Sequence, residues 1–366
     1  MMSDVMIANG SGDGAPAVGR GEWYDIVVVG GGAAGLSGAL ALARARRAVL
    51  VVDGGQPRNA PAAHVHNYLS RDGAAPSDLL AIGRAEVTGY GGRIISGVVA
   101  SAARLEGQDD RDGFQVTLTN GASVYARRLL VATGLVDELP AVPGVAERWG
   151  RDVLHCPYCH GWEVRDQAIG VLATGPLAAH QAQLFRQVSA DVTLFLHTQP
   201  EPSAEESERL AARGIAVVRG EVVSLEVTDD QLSGVRLDSG QVVPRQAVVV
   251  GPRATARADV LVSLGITTTE MRVAGQVIGT YVAAEPSGAT AVSGVWVAGN
   301  VADLTAQVIG AAAAGLMVGA AVNADLIAED TARAVAAFRA RSQATQEPDA
   351  RDAGARRPAL SGTVTA

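Results

Sequence analysis

The sequence predicts an α/β fold: two doubly wound, Rossmann-like dinucleotide-binding domains, the second inserted in the first. Three observations predict it. DIVVVGGGAAGLSGALALARARRAVLVVD, Asp25 to Asp53, reads as strand, glycine-rich turn, helix and strand. QAIGVLATGPLAAHQAQLFRQVSADVTLFLH, Gln167 to His197, repeats that plan. Short apolar runs, mostly β-branched, recur at Val27–Val29, Val49–Val52, Leu129–Val131, Ile169–Leu172, Val192–Leu196, Val248–Val250 and Val295–Val297. Alternating with helical stretches, they suit parallel sheets.

The second unit ends where the chain returns to the first, near GVWVAGNVAD, Gly294 to Asp303. The expected domains are residues 23–150 plus 282–340, and an inserted domain at 151–281. Residues 1–22 are rich in Gly, Ser and Asp, and residues 341–366 are polar with scattered Ala, Arg and Pro. Both read as disordered tails.

Composition narrows the function. The chain has 366 residues and is 48% hydrophobic, enough for two buried cores. Its net charge of −8 argues against nucleic acid and anionic membranes as partners. All 30 basic residues are Arg, so Schiff-base chemistry and a lysine-dependent phosphate loop are excluded. No basic segment precedes an apolar run near the start, and the longest apolar run, Val308 to Val322, is short for a membrane span. A soluble, cytoplasmic protein is expected.

GGGAAG sets Gly30, Gly32 and Gly35 in the G-x-G-x-x-G pattern, with Ala34 in the turn and Ala39 keeping the next helix position small. The first glycine makes the tight turn. The second lets backbone approach a pyrophosphate, and the third lets helix pack on strand. The helix start offers free N–H groups and positive dipole charge to the phosphates. Asp53, ending the next strand, is spaced to accept from a ribose diol. The motif alone leaves FAD and NAD both open.

HCPYCH, His155 to His160, holds both cysteines of the chain, Cys156 and Cys159. Such a run serves haem attachment, zinc or redox chemistry. Haem attachment of this kind occurs outside the cytoplasm, and no export signal is visible. Zinc needs about four ligands, and no second C-x-x-C or H-x-x-H pair exists. No metal is expected. An inert pair of buried thiols is an alternative, and a redox dithiol is the favoured reading: two intervening residues bring the sulfurs to bonding distance on a helical turn, and Pro157 suits a first turn.

Four blocks, GGGAAG, VATG (Val131 to Gly134), the C-x-x-C and VAGNVADLTAQV (Val297 to Val308), follow one another over residues 24–328. In order and spacing the chain resembles the low-molecular-weight thioredoxin reductases. The resemblance implies FAD in the first domain and a homodimer. It places Ala132, Thr133 and Gly134 over the flavin, Gly299 and Asn300 at the ribityl–phosphate region, and Asn67 near the flavin. Gln56, Arg58 and Asn59, in the loop after Asp53, are further cofactor candidates. Asn300 stands where the family has Asp. The helix N-terminus at Gln307 and Val308 would face the flavin pyrimidine; small residues there also suit close helix packing. Cys156 would face the partner and Cys159 the flavin.

The second glycine motif departs from the family. ATGPLA, Ala173 to Ala178, keeps only Gly175, and Pro176 removes an N–H. The stretch after the next strand, HTQPEPSAEESE, His197 to Glu208, has four Glu and no Arg to clasp a 2′-phosphate. NADPH is therefore not expected as the reductant. CPYCHGWEV with the degenerate second motif resembles the FAD-dependent dithiol oxidases of the gliotoxin and holomycin type. That resemblance implies oxidation of a small-molecule dithiol, with O2 as acceptor and H2O2 as product. His160, in place of the reductases' Asp, and His155 are the candidate bases; His64 and His66 are weaker ones. An NADPH-dependent disulfide reductase and a non-catalytic flavin redox sensor are the alternatives.

Overall fold

A computed structural model describes residues 21–346 except 109 and 110. Of the two segments that read as tails, residues 1–20 and 347–366 lie outside the described residues. The chain begins with β1 (Trp23–Val29), α1 (Ala33–Arg44), β2 (Val49–Asp53), α2 (Pro76–Gly89) and β3 (Arg93–Ser96). β4 (Val99–Gln108), β5 (Arg111–Leu118) and β6 (Ser123–Val131) follow. They form one sheet in the order β3-β2-β1-β6-β5-β4. The pairs around β1 are parallel; β4 and β5 run antiparallel beside β6. Ile26, Val27 and Val28 are fully buried, because a parallel strand with both faces covered needs apolar residues on each.

The chain leaves this sheet along β7 (Leu135–Glu138) and enters α3 (Val145–Arg148), β8 (Val153–Leu154), α4 (Pro157–His160), β9 (Ile169–Leu172) and α5 (Ala178–Phe185). β10 (Val192–Phe195), α6 (Ala204–Ala212) and β11 (Ala216–Val218) continue it. An antiparallel trio, β12 (Val222–Thr228), β13 (Gln231–Leu237) and β14 (Val242–Pro244), precedes β15 (Ala247–Val250). The second sheet, all parallel, has the order β11-β10-β9-β15-β8. Its residues alternate between two cores: Ala247 and Val249 pack with α5 residues Ala182 and Phe185, while Val248 and Val250 face Val222 and Leu237.

Return is by β16 (Arg253–Ala256), which pairs antiparallel with β7, Arg253 opposite Glu138 and Ala256 opposite Leu135. Departure and return therefore lie side by side, which is how an inserted domain leaves its host sheet unbroken. α7 (Asp259–Val262), β17 (Thr269–Val273) and β18 (Gln276–Tyr281) complete this four-stranded connection. Ala256, Ala258, Val260, Leu261 and Ile266 join the core of the first sheet, although the sequence groups residues up to 281 with the insert. β19 (Val295–Val297) then pairs with β6, and α8 (Val308–Gln346) follows a short 3-10 turn.

α8 runs past Arg341, so six residues of the segment that read as tail are helical. It is the one helix among the described residues long and apolar enough to cross a membrane. Its first half is pinned in the core instead. A Cβ added at Gly315 would stand 2.0 Å from the Ala34 carbonyl oxygen, and one at Gly319 2.8 Å from that of Gly38. The Gly/Ala richness thus serves backbone-to-backbone approach of α1 and α8. The described residues from Asn323 to Gln346 form a separate compact unit, where Arg333 pairs with Glu329 at 2.6 Å.

Candidate active site

The loops at the carboxyl ends of β1, β2 and β6 open on a cavity of about 980 Å³, the upper end of the usual range for a ligand site. Gly30 makes the turn with φ +107°, and a Cβ there would lie 2.5 Å from the Ala132 carbonyl. Gly35 lies behind the wall, where a Cβ would fall 1.9 Å from the Gly30 carbonyl oxygen. Gly32 differs: it caps α1 with no side-chain hydrogen bond, and a Cβ there would meet nothing within 4 Å. An open cradle at an uncapped helix N-terminus fits the pyrophosphate of a dinucleotide. The residues present fit FAD on this ground.

Asp53 is prepared in the same way. Its Oδ1 accepts from the N–H of Gly31 at 3.3 Å and of Gly55 at 3.0 Å, and its Oδ2 takes Arg84 at 2.8 Å. Burial alone would raise its pKa; these donors outweigh burial and hold the carboxyl below its ordinary value. Ala34, Gln56, Arg58, Asn59, Ala132, Thr133, Gly134, Asn300, Gln307 and Val308 line the same cavity. Gly299, with φ +75°, stands behind Ala34 instead. The Asn300 amide donates to the carbonyls of Asp303 and Ala306, both at 2.9 Å. Asn67 is not on the cavity wall. It has φ +58°, and its Nδ2 donates to the Tyr158 carbonyl at 2.5 Å, tying its loop to the C-x-x-C turn.

Cys156, Cys159, His155 and His160 all reach this cavity. Pro157 starts α4, and Cys156 is its N-cap. Cys159 Sγ donates to Cys156 Sγ at 2.8 Å. That bond, with the N–H groups of Cys159 and Tyr158 and the Arg58 charge, outweighs burial and lowers the Cys156 pKa to about 7. Donating the bond, and being buried, pushes the Cys159 thiol upward. The pair is thus split into a reactive and a reserved thiol. Burial lowers the pKa of His160, against the opposing pull of Glu163 and with His66 and His64 reinforcing it. His66 itself lies 3.2 Å from Glu163 and 3.3 Å from Asp72. Among the described residues no group of His, Cys, Asp and Glu is arranged to hold a metal.

Several residues at the site gave no signal in the sequence. Asp137 receives the Arg58 guanidinium at two points, 2.8 and 2.7 Å, although the partners are 79 residues apart. Arg257 ties Gln56 through its side chain and Thr133 and Gly134 through its backbone. Leu177, His180, Gln181 and Leu184 put one face of α5 on the cavity wall. A spacing of i, i+3, i+4 and i+7 is the only hint the sequence held. In the degenerate motif, Thr174 Oγ1 donates to the Gly251 carbonyl at 2.7 Å and so ties the turn to the end of β15.

Residues 24–315 match the family model described as pyridine nucleotide-disulphide oxidoreductase. The solved structure titled "Crystal structure of HlmI" superposes with a TM-score of 0.79 at 50% identity, over 87% of this chain and 96% of that one. An oxidoreductase from Agrobacterium tumefaciens superposes with a TM-score of 0.76 at 33% identity, over 83% and 98% of the two chains. Thioredoxin reductase sirT of Leptosphaeria maculans is 31% identical over 84% of this chain and 96% of its own length. Thioredoxin reductase tcpT of Claviceps purpurea is 39% identical over 47% of this chain. The match spans about half, 54%, of tcpT's length.

Proposed function

Since the chain belongs to the pyridine nucleotide-disulphide oxidoreductase family, we propose that it is an FAD-dependent oxidase of small-molecule dithiols. Residues 23–150 with 282–340 form the flavin-binding part, and 151–281 carry the redox pair. The sheet of β7, β16, β18 and β17 joins the two parts, β7 lying in the first range and the other three strands in the second. It works in the cytoplasm as a homodimer.

The cycle starts with Cys156 and Cys159 joined as a disulfide. A substrate thiolate attacks Cys156, breaking that bond and releasing Cys159 as thiolate. The second substrate thiol, deprotonated by His155 or His160, attacks the mixed disulfide. The substrate leaves as its intramolecular disulfide, having lost two electrons and two protons, and the cysteines are left reduced. Bound FAD would supply the acceptor for that electron pair, with O2 as the final acceptor and H2O2 as the product. Re-formation of the Cys156–Cys159 bond closes the cycle. Once Cys159, whose pKa is raised, has taken up a proton, it can donate to Cys156, and a Cys156 pKa of about 7 makes that thiolate a good leaving group in the ring-closing step.

The direction of electron flow rests on one observation, the surface beyond β10. Arg219 is held by Glu201 at 2.6 Å, and Arg209 by Glu205. Glu206 is spent in the capping box with Ser203 at the start of α6. These two arginines beside the segment that follows β10 are already paired with that segment's acids, which disfavours NADPH. The test is anaerobic. The flavin colour should persist with NADPH, bleach with a dithiol, and return in air with one peroxide per dithiol. Rapid bleaching by NADPH, without peroxide from dithiols, would favour a reductase instead.

A further inference from the structure

His155 lies between two groups that fix its proton. Its Nδ1 is 3.1 Å from the Val250 carbonyl oxygen and 3.4 Å from Nε2 of the Gln181 amide. The carbonyl only accepts, so an unprotonated Nδ1 would set two lone pairs against each other. The amide can present either end, because its oxygen and nitrogen are interchangeable by a flip. With the amide flipped, Nδ1 carries the proton, Val250 and the Gln181 oxygen share it, and Nε2 keeps its lone pair.

Gln181 is buried, 8% exposed, on the helix that follows the degenerate second glycine motif. In a pyridine-nucleotide site such a helix points its N-terminus at a pyrophosphate. Here one face of it reaches the cavity that holds the cysteines. We propose that Gln181 is a positioning residue that locks His155 as the Nδ1–H tautomer, so that His155 Nε2, next in sequence to Cys156, is the base for the substrate thiol. The inference deepens the dithiol-oxidase reading and rests on it for the identity of the proton donor; the tautomer itself does not.

Other charged groups face His155. Arg58 and Asp137, from the loop after β2 and from β7, act on it with opposite signs, and Cys156 adjoins it. Burial comes first among the influences and lowers its pKa. The neutral ring is therefore favoured more than in an ordinary histidine, and the base is lost as pH falls.

The test is a long-range ¹H–¹⁵N spectrum of the purified full-length protein, in which His155 is found among six histidines by the His155→Gln variant. The wild-type signal should be that of an Nδ1–H ring. Gln181→Leu should add the Nε2–H form. Gln181→Glu, of the same shape, should keep Nδ1–H and raise the titration midpoint by about one pH unit, because a carboxylate favours the imidazolium. The acid limb of dithiol-driven protein reduction should move up with it. An Nε2–H wild-type ring, or Gln181→Leu and Gln181→Glu spectra identical to wild type, would overturn the proposal. If instead the spectra behave as stated but dithiols give no peroxide, the oxidase reading fails while the tautomer lock stands.

Discussion

Cys159 Sγ donates a hydrogen bond to Cys156 Sγ across 2.8 Å, and this contact is the first reason that the Cys156 thiol ionises near neutral pH. Alkylation of the reduced protein by iodoacetamide should therefore reach half its maximal rate at a pH of about 7, with Cys156 modified first. Cys159→Ala removes the donor and leaves the burial, so the midpoint should move up toward the ordinary thiol value of about 8.5. Mass-spectrometric peptide mapping over pH checks both. Faster modification of Cys159 than of Cys156 would reverse the assignment of roles.

Asn300 invites a sharper experiment. Its amide donates to two carbonyls, and an ionised Asp, the residue of the resembled reductases, would turn lone pairs on both. Asn300→Asp should cost about 2 kcal/mol at pH 7. The sign with pH follows. The folded state raises the carboxyl pKa of the new Asp, so the loss shrinks as pH falls and the acid form becomes a donor. Urea unfolding at pH 7 and pH 5 measures it; equal losses at both would contradict the account.

The glycines separate folding from binding. Gly35→Ala and Gly30→Ala drive a Cβ into backbone oxygen at 1.9 and 2.5 Å, so each should cost more than ~3 kcal/mol or prevent folding. Gly32→Ala meets no protein atom and has φ −78°, which Ala accepts. Its apoprotein should unfold within ~0.5 kcal/mol of wild type. FAD should nevertheless bind at least tenfold more weakly, ~1.4 kcal/mol, by fluorescence titration of the apoprotein. Undiminished affinity would place the pyrophosphate elsewhere.

Arg58 and Asp137 form a fork-to-fork pair in which the aspartate side chain is only 8% exposed. Asp137→Ala strands a cation that is itself largely covered, and should cost ~2–4 kcal/mol. Because Arg58 also favours the Cys156 thiolate, the alkylation midpoint should shift in the same variant. A drop in stability with an unchanged midpoint would leave the pair a purely structural tie.

Legibility in the sequence followed locality. The turn at Gly30, Gly32 and Gly35 could be read because one short segment carries strand, turn and helix together, and backbone sterics alone dictate its glycines. The C-x-x-C turn was legible for the same reason. Asn300 reads in the sequence only as standing where the family has Asp; its amide braces its own loop, a use that shows only when Asp303 and Ala306 curl back. Asn67 was placed with the flavin by position, yet its side chain grips Tyr158, 91 residues on. Asp137 and Arg257 could not be read at all, since each acts through a partner brought near by the inserted domain's exit and return, and Gln181 left only a helical spacing because its partner His155 is 26 residues away. The same strands explain why residues 256–266 pack with the first sheet.

Trp162, three residues past Cys159, is 70% exposed with the Arg165 guanidinium 4.3 Å from its ring centre. Trp296, by contrast, is 6% exposed. An indole in water emits to the red of one sealed in protein, so the molecule carries a native lamp at its chemical end. Rearrangement of the sulfur pair, or a guest settling over the turn, would register as a change in that red-edge glow, and single turnovers could be timed in real time with no dye attached.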